Sequence, residues 1–521
     1  MTFTPVVRNI VDSNNSSTTP LVADATFTGT EIEVVQYNSI RVHIASDVDS
    51  AVNGVIIGFG TQSGTTDVVQ YLATYNVSQG VFVKEYPVKG RYFQISYTNG
   101  STGQTGFDLQ VVLQEPVVNP TVIKPARNIT DAFGRMRVSN PETLFSSTHV
   151  EGPNDYAEAS DTTGTGSVSR NSNTVMMELS VTTNGDEAIR QSRRYIVYQP
   201  GKSMLVMMTG VINANTNAST VTSRIGLFDA SNGAFFEYNN GFSVNIRSSI
   251  SGSTVLDTTD QADWNIDPMD GSGPSGITLD STKTQIYSID YQWLGVGVVR
   301  FAVNIDGTIY YVHESYHANS LTVPYSQRGS LPVRFEISST GGAGRLDYNC
   351  ASVMSEGGFQ ELGTPFGTGT TTGLSVGATE VPLVTIRLKS ANRRVNVQPT
   401  SFTVVIAGTN TLAVRTRLFR SPSANPLNAG TTTFTSASPN SFVEYNVIAT
   451  GIDLATDSSD VVSFDLVTAN KGSSTTIGTD RTNLFILSDI AGDPDYFVVT
   501  AINLTGGTET VYGSLGWVEI Y

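Results

Sequence analysis

In Gln285-Ile-Tyr-Ser-Ile-Asp-Tyr-Gln-Trp-Leu-Gly-Val-Gly-Val-Val-Arg-Phe-Ala-Val-Asn-Ile-Asp-Gly-Thr-Ile-Tyr-Tyr-Val-His313 the side chains alternate in character at nearly every step. Gln285, Tyr287, Ile289 and Tyr291 alternate with Ile286, Ser288, Asp290 and Gln292; Val299, Phe301, Val303 and Ile305 alternate with Arg300, Ala302, Asn304 and Asp306. A period of two is that of a pleated strand, in which successive side chains point to opposite faces. Asp306-Gly307 separates the run ending at Ile305 from the β-rich Thr308-Ile-Tyr-Tyr-Val312. Asp-Gly tolerates the positive φ of a type I′ turn, so the stretch predicts a tight hairpin, placed at the centre of a large antiparallel sheet. Gly295 and Gly297, bracketing Val296 just after Trp293, predict a bulge or a close backbone approach.

The rest of the chain is built to hold such sheets. Its 521 residues predict two to four domains, and three are expected. The 48 glycines and a charged content of only 15% suit many short strands joined by tight turns, with almost no long helix. The net charge of -16 argues against a nucleic-acid surface, which needs clustered Lys and Arg. With one cysteine, Cys350, there is no intrachain disulfide and no Cys-based zinc site, and a buried inert thiol is expected there. Apolar runs such as Met204-Leu-Val-Met-Met208 are far too short to cross a membrane, so no membrane partner is expected.

In chain order, residues 1–20 are polar and read as an N-terminal arm. Residues 21–118 carry short alternating segments, among them Ile40/Val42/Ile44, Val55-Ile-Ile-Gly-Phe59 and Phe93-Gln-Ile-Ser-Tyr97, which predict a small β-sandwich. Residues 119–127, inside a Pro-rich stretch, predict an extended linker. Residues 128–363 show no interrupting linker and predict one large sandwich or jelly roll, including strands at Arg193–Tyr198, Ser203–Ile212, Arg224–Phe228, Ala234–Tyr238 and Val333–Ile337. A Gly/Thr-rich linker over 363–373 then leads to a C-terminal β-sandwich at 374–521. The expected fold is therefore all-β, with three tandem sandwiches. A short echo, Arg8-Asn-Ile-Val-Asp12 against Arg127-Asn-Ile-Thr-Asp131, suggests that two domains are entered by similar segments.

Several stretches recur together in one order: Asp131-Ala-Phe-Gly-Arg-Met-Arg-Val-Ser139, Tyr198-Gln-Pro-Gly-Lys-Ser203, Asp290-Tyr-Gln-Trp-Leu-Gly-Val-Gly-Val-Val-Arg300, His317-Ala-Asn319 and Ser355-Glu-Gly-Gly358. This combination resembles a module of virion structural proteins of tailed bacteriophages. The resemblance covers roughly residues 128–363, and it implies a particle component made in a host cytoplasm and located in the virion. The family has no fixed station on the particle, so head decoration, neck, tail and baseplate stay open.

The candidate chemical sites are few. His313-Glu-Ser-Tyr-His317 matches the H-E-x-x-H pattern of zinc proteases, with Glu314 as its base and Glu336 as a distant third ligand. That chemistry needs both imidazoles on one helical turn, whereas Thr308–Val312 reads as a strand, on which the two histidines would lie more than ~10 Å apart. Asp267 and Asp270, in Asp267-Pro-Met-Asp-Gly-Ser-Gly-Pro-Ser-Gly276, are candidate calcium ligands, set against a plain Gly/Pro turn. Gly367–Gly373 lacks the lysine of a phosphate loop, and no G-x-S-x-G elbow is present. No metal, cofactor or catalytic residue is expected, and Trp264, Trp293 and Trp517 read as core rather than as a sugar platform. Two functions remain. One is a non-enzymatic virion component assembling as a homo-oligomer, with a trimer expected, that contacts other virion proteins. The other is a receptor- or carbohydrate-binding tail protein, hydrolytic or not, whose partner would be a host surface glycan.

Overall fold

The computed structural model describes all residues except 1–8, 65–67, 115–129, 138–139, 361, 428–432, 448–450, 455–458, 469–472 and 477–483. It is all-β: among the described residues every sheet pairing is antiparallel and the helical elements are the single 3-10 turns Val77–Gln79 and Gln261–Asp263. No helix is long and apolar enough to cross a membrane among the described residues. The chain divides into two compact units, Met1–Lys124 and Pro125–Tyr521.

The first unit is a two-sheet sandwich. Asn9–Val11, Phe107–Gln114, Ser39–Ser46 and Phe82–Pro87 pair in that order, and Thr26–Thr28, Tyr92–Asn99, Ser50–Gly60 and Val69–Ala73 form the second sheet, with Ile32–Glu33 also on Tyr92–Asn99. The predicted alternation is realised: Ile40, Val42 and Ile44 face Val55, Ile57, Phe59, Phe93 and Ile95 in one core. The arm expected over residues 1–20 is corrected from Asn9 onward, residues 1–8 lying outside the described part. Asn9–Val11 is an edge strand on Phe107–Gln114, and Ser17 bridges Leu109. Asn15 is fully buried; its Nδ2 donates to Asp12 Oδ2 (2.7 Å) and to the Thr30 carbonyl (2.9 Å), and its Oδ1 accepts from the Ile95 amide (3.0 Å). Polar composition here serves buried backbone groups rather than solvent, which a hydrophobicity pattern does not distinguish. The echo has a structural meaning too: Asp12 Oδ1 accepts the amide of Asn14 and Asp131 Oδ1 that of Phe133, the same turn two residues on. The expected linker at 119–127 lies outside the described residues.

The second unit holds two sandwiches, each with its own core. In the central one an eight-stranded sheet runs Ser167–Asn171, Met176–Val181, Gly344–Glu356, Ser203–Val211, Gln285–Tyr291, Val299–Ile305, Thr308–Ser315, with Glu142–Thr148 also on Gly344–Glu356. A seven-stranded sheet packs against it: Glu158–Thr163, Glu187–Ser192, Val333–Ser339, Val221–Phe228, Gly233–Tyr238, Phe242–Ser248, Val255–Asp260. The Asp306-Gly307 hairpin forms with both residues at positive φ (51° and 78°), as a type I′ turn demands. It lies at the edge of its sheet, however, not at the centre: Thr308–Ser315 has one neighbour, and the middle is taken by Ser203–Val211 and Gly344–Glu356. Alternation reports a half-buried face but not a strand's rank, whereas Ser203–Val211, apolar on both faces, carried the central signal. Gly297 marks a close approach, since a Cβ there would meet the Gln292 carbonyl oxygen at 2.3 Å.

In the C-terminal sandwich, Thr364–Gly369, Glu509–Ile520, Asn396–Ile406 and Ser473–Thr476 form one sheet, with Leu374–Val376 also on Glu509–Ile520. Thr435–Ser436, Val443–Asn446, Val381–Leu388, Tyr496–Asn503, Leu412–Phe419 and Asp460–Val467 form the other. The Gly/Thr linker is corrected here: Thr364–Gly369 is a strand in register with Ser514–Glu519. Its threonines supply β-propensity, and Gly369 permits contact with the Gly513 carbonyl that a Cβ would block at 2.9 Å. Arg193–Tyr198, expected as a strand, makes a single bridge, Ile196 to Leu331. Its groups are spent instead on the neighbouring sandwich, the Tyr195 carbonyl accepting from Asn396 and Val197 packing with Phe485, Leu487 and Ile520.

Candidate functional site

Four of the stretches quoted above, far apart in sequence, meet at one end of the eight-stranded sheet. Asp290 and Arg300 are cross-strand partners, and Arg300 is opposite Glu314 on the next strand, an acid–base–acid row on the face that Tyr287, Ile289 and Phe301 do not use. The Asp290 side chain is 1% exposed. Its Oδ1 accepts from Ser203 Oγ (2.8 Å), and its Oδ2 takes Arg137 (2.5 Å), the Tyr311 hydroxyl (3.0 Å) and Arg300 (3.3 Å). Arg300 lies flat over the Tyr311 ring, 4.0 Å from its centroid, and donates to the Asp131 carbonyl at 2.7 Å.

The segment Thr130–Arg137 is thereby strapped across the strand ends. Asp131 folds it back on itself, Oδ1 accepting the amides of Phe133 and Arg135 and Oδ2 the Arg135 Nε (2.8 Å), around Gly134 at a φ of 76°. Gln292 donates to the Ala132 carbonyl and Arg135 to that of Gly201, so the turn at Gln199–Lys202 joins the same assembly. Glu356 meets Arg137 Nε at 3.1 Å. Burial, and after it the nearby Asp290 charge, push the Glu356 carboxyl up to about 7, and burial likewise pushes Asp290 up against the pull of Arg300 and Arg137.

A carboxyl whose folded value exceeds its unfolded one holds its proton better when folded. Its contribution is full below the ordinary value of 4.5 and is lost as pH rises through about 7. Glu356→Gln should therefore stabilise the second unit at pH 8 by about 1–2 kcal/mol after allowance for screening, raising its unfolding midpoint, and leave it unchanged near pH 4. Thermal melts of both proteins across this range check it; parallel curves would refute the assignment.

The single-residue candidates are distributed, not gathered. His313 is in the edge strand, where its Nδ1 accepts from the Asn265 amide (3.3 Å). His317 is in the loop beyond, its Nδ1 2.7 Å from the Gly297 carbonyl and its ring stacked on Tyr325 at 4.1 Å. No helical turn sets them on one metal. Glu314 faces Arg300, and Glu336 is on the other sheet, enclosed by Arg224 and Arg334. Asp267 is buried and its oxygens accept the Met269 and Ser275 amides, while Asp270 accepts from Ser272. Both carboxylates close their own loop. Among the described residues no three His, Cys, Asp or Glu side chains are placed to share a metal ion. Cys350 is half-buried, its Sγ 3.5 Å from Thr209 Oγ1. Trp264 and Trp517 are buried and Trp293 is partly buried against the core.

A larger opening, about 1090 Å³, lies between the outer face of the seven-stranded sheet and the loops of the C-terminal sandwich around Ser390–Val395 and Ser488–Ile490. Nothing in the sequence marked it, because its residues come from both sandwiches.

No family model and no curated protein matches the chain. Solved structures with a likeness include the legume lectin-like domain of Entamoeba histolytica (10% identity, 42% of this chain and 98% of that one, TM-score 0.26). The botulinum neurotoxin serotype D binding domain is similar over 71% of this chain and 96% of its own (11% identity, TM-score 0.27). The PBSX exported protein XepA is similar over 67% and 86% (14% identity, TM-score 0.17). Scores this low assign neither a ligand nor a role.

Proposed function

We propose that the chain is a non-enzymatic structural component of a tailed-phage virion, assembling as a homo-oligomer and contacting other virion proteins. The observation that carries this reading is the convergence of the resembling stretches on the Asp290–Arg137–Arg300–Glu356 network. In this reading, the residues that resemble a virion module are the ones that lock a segment onto a sheet. A catalytic carboxylate must be reachable by substrate, whereas both oxygens of Asp290 are consumed within the fold. Open sheet edges support assembly: among the described residues Asp460–Val467 is an edge strand, exposing Val461, Phe464 and Leu466, an edge that burial against a neighbouring copy would protect.

The test is the particle itself. Antibodies raised against the purified chain should label intact tailed-phage particles at one station, and quantitative mass spectrometry of gradient-purified particles should find it in a multiple of three. A chain that stays at the top of the gradient while particles sediment without it would overturn the reading.

A further inference from the structure

We propose that the cleft between the two sandwiches of the second unit is a binding site for a carboxylate-bearing saccharide, held by Arg328 and Arg393. Five arginines line it, and three are satisfied: Arg334 donates to Glu336 and Gln191, Arg247 to the Asp229 carbonyl, and Arg394 pairs with Asp229 at 2.9 Å. Arg328 is exposed, and among the described residues its guanidinium makes no hydrogen bond or ion pair. Arg393 is exposed and donates only to backbone carbonyls, those of Ser390 and Ala491. Partial desolvation, and then the adjacent Arg394 charge, lower the Arg328 pKa against the weaker pull of Asp229 and Tyr195, an unfavourable field that a bound anion would relieve.

The acids of the cleft do not cancel these two charges. Asp229 caps the Ser231 and Asn232 amides besides holding Arg394, Glu336 is shared by Arg224 and Arg334, and Asp489 accepts from Gly492 and Asp493. Asp161 and Glu187 stand on the two strands at one edge of the sheet, and the charges that act on Glu187 are those of Glu336, Arg334, Arg224 and Asp161. Between the ends the wall mixes amide and hydroxyl groups, as at Gln191, Asn392 and Ser390, with apolar Ile189 and Leu256. Guanidinium forks for carboxylates, neutral donors for hydroxyls and apolar strips for C–H faces are what an acidic sugar chain presents to a protein. A net charge of -16 opposes a densely charged polyanion such as nucleic acid, leaving a sparsely charged one. The proposal is independent of the virion reading, since it concerns the isolated chain.

Isothermal titration calorimetry on the full chain with tetragalacturonate, sialyllactose and neutral cellotetraose tests it. At least one acidic probe should bind at one site per chain, cellotetraose should not, and Arg328→Ala and Arg393→Ala should each weaken binding tenfold or more at an unchanged unfolding midpoint. Lys283→Ala, an exposed cation outside the cleft, should leave binding unchanged. The proposal falls if neither acidic probe binds, if cellotetraose binds equally, if the arginine variants bind like the parent, or if inorganic phosphate displaces the sugar at equal concentration, which would mark a generic anion site.

Discussion

Asp290→Ala is expected to destabilise the second unit by about 3–5 kcal/mol, because removing one member of a buried ion network leaves the others charged and unpaired. Arg137 would keep the half-neutralised Glu356 and Arg300 the more distant Glu314, at 3.5 Å, both losing their shared buried carboxylate, and Ser203 Oγ would lose its acceptor. All three tryptophans lie in this unit, so the intrinsic tryptophan fluorescence of the whole chain reports its unfolding alone. Urea titration followed by that signal should show the midpoint fall sharply. Adding Arg137→Met to the variant should recover part of the loss, as the stranded charge is then removed with its partner. A loss below about 1 kcal/mol would mean that the network is solvated and plays no part in fastening Thr130–Arg137.

The second large effect is expected at Asp495, whose side chain is fully buried between the sandwiches. Its Oδ1 takes Arg193 (2.5 Å) and the Ser421 amide (2.9 Å), and its Oδ2 takes Arg420 (2.8 Å) and the Leu487 amide (3.0 Å). Arg193 belongs to the central sandwich, and burial lowers its pKa despite Asp495 beside it, so the carboxylate is what makes that charge tolerable. Asp495→Ala should cost about 3–5 kcal/mol and divide the calorimetric transition of the second unit in two, as each sandwich keeps its own core while the joint between them fails. A single undivided transition at the parental temperature would show that the small cluster of Val197, Phe485, Leu487 and Ile520 suffices to couple them.

What was legible in the sequence was local. The hairpin at Asp306-Gly307, the inward set Ile40, Val42 and Ile44, and the turn from Phe228 to Gly233 follow from period and turn chemistry, and the structure has each of them. The row Asp290–Arg300–Glu314 was not within reach: the two-residue turn alone would set Arg300 opposite His313, and it meets Glu314 only after the register shift between Phe301 and Ala302. The bulge itself is not encoded in an alternation pattern, and neither is Arg137, whose partner Asp290 lies 153 residues away. Polar segments misled for the same reason. Asn15 and Thr364 look like solvent-facing chain until the backbone groups they serve are known. The cleft had no signal at all, because Arg328 and Arg393 become neighbours of one opening only when two separately cored sandwiches meet.

The pairing of Thr364–Gly369 with Ser514–Glu519 also sets a clock on biosynthesis. At roughly 5–20 residues per second, translation takes on the order of 10–30 s to travel from one strand to the other, and the C-terminal sandwich has no completed second layer until it does. The same delay applies earlier, where Glu142–Thr148 waits for Gly344–Glu356 before it has a neighbour. For that interval Thr364–Gly369, Leu374–Val376 and the start of Asn396–Ile406 emerge as unpaired backbone beside ribosomes making the same chain, so premature strand exchange between nascent copies is the failure that chaperones would have to hold off.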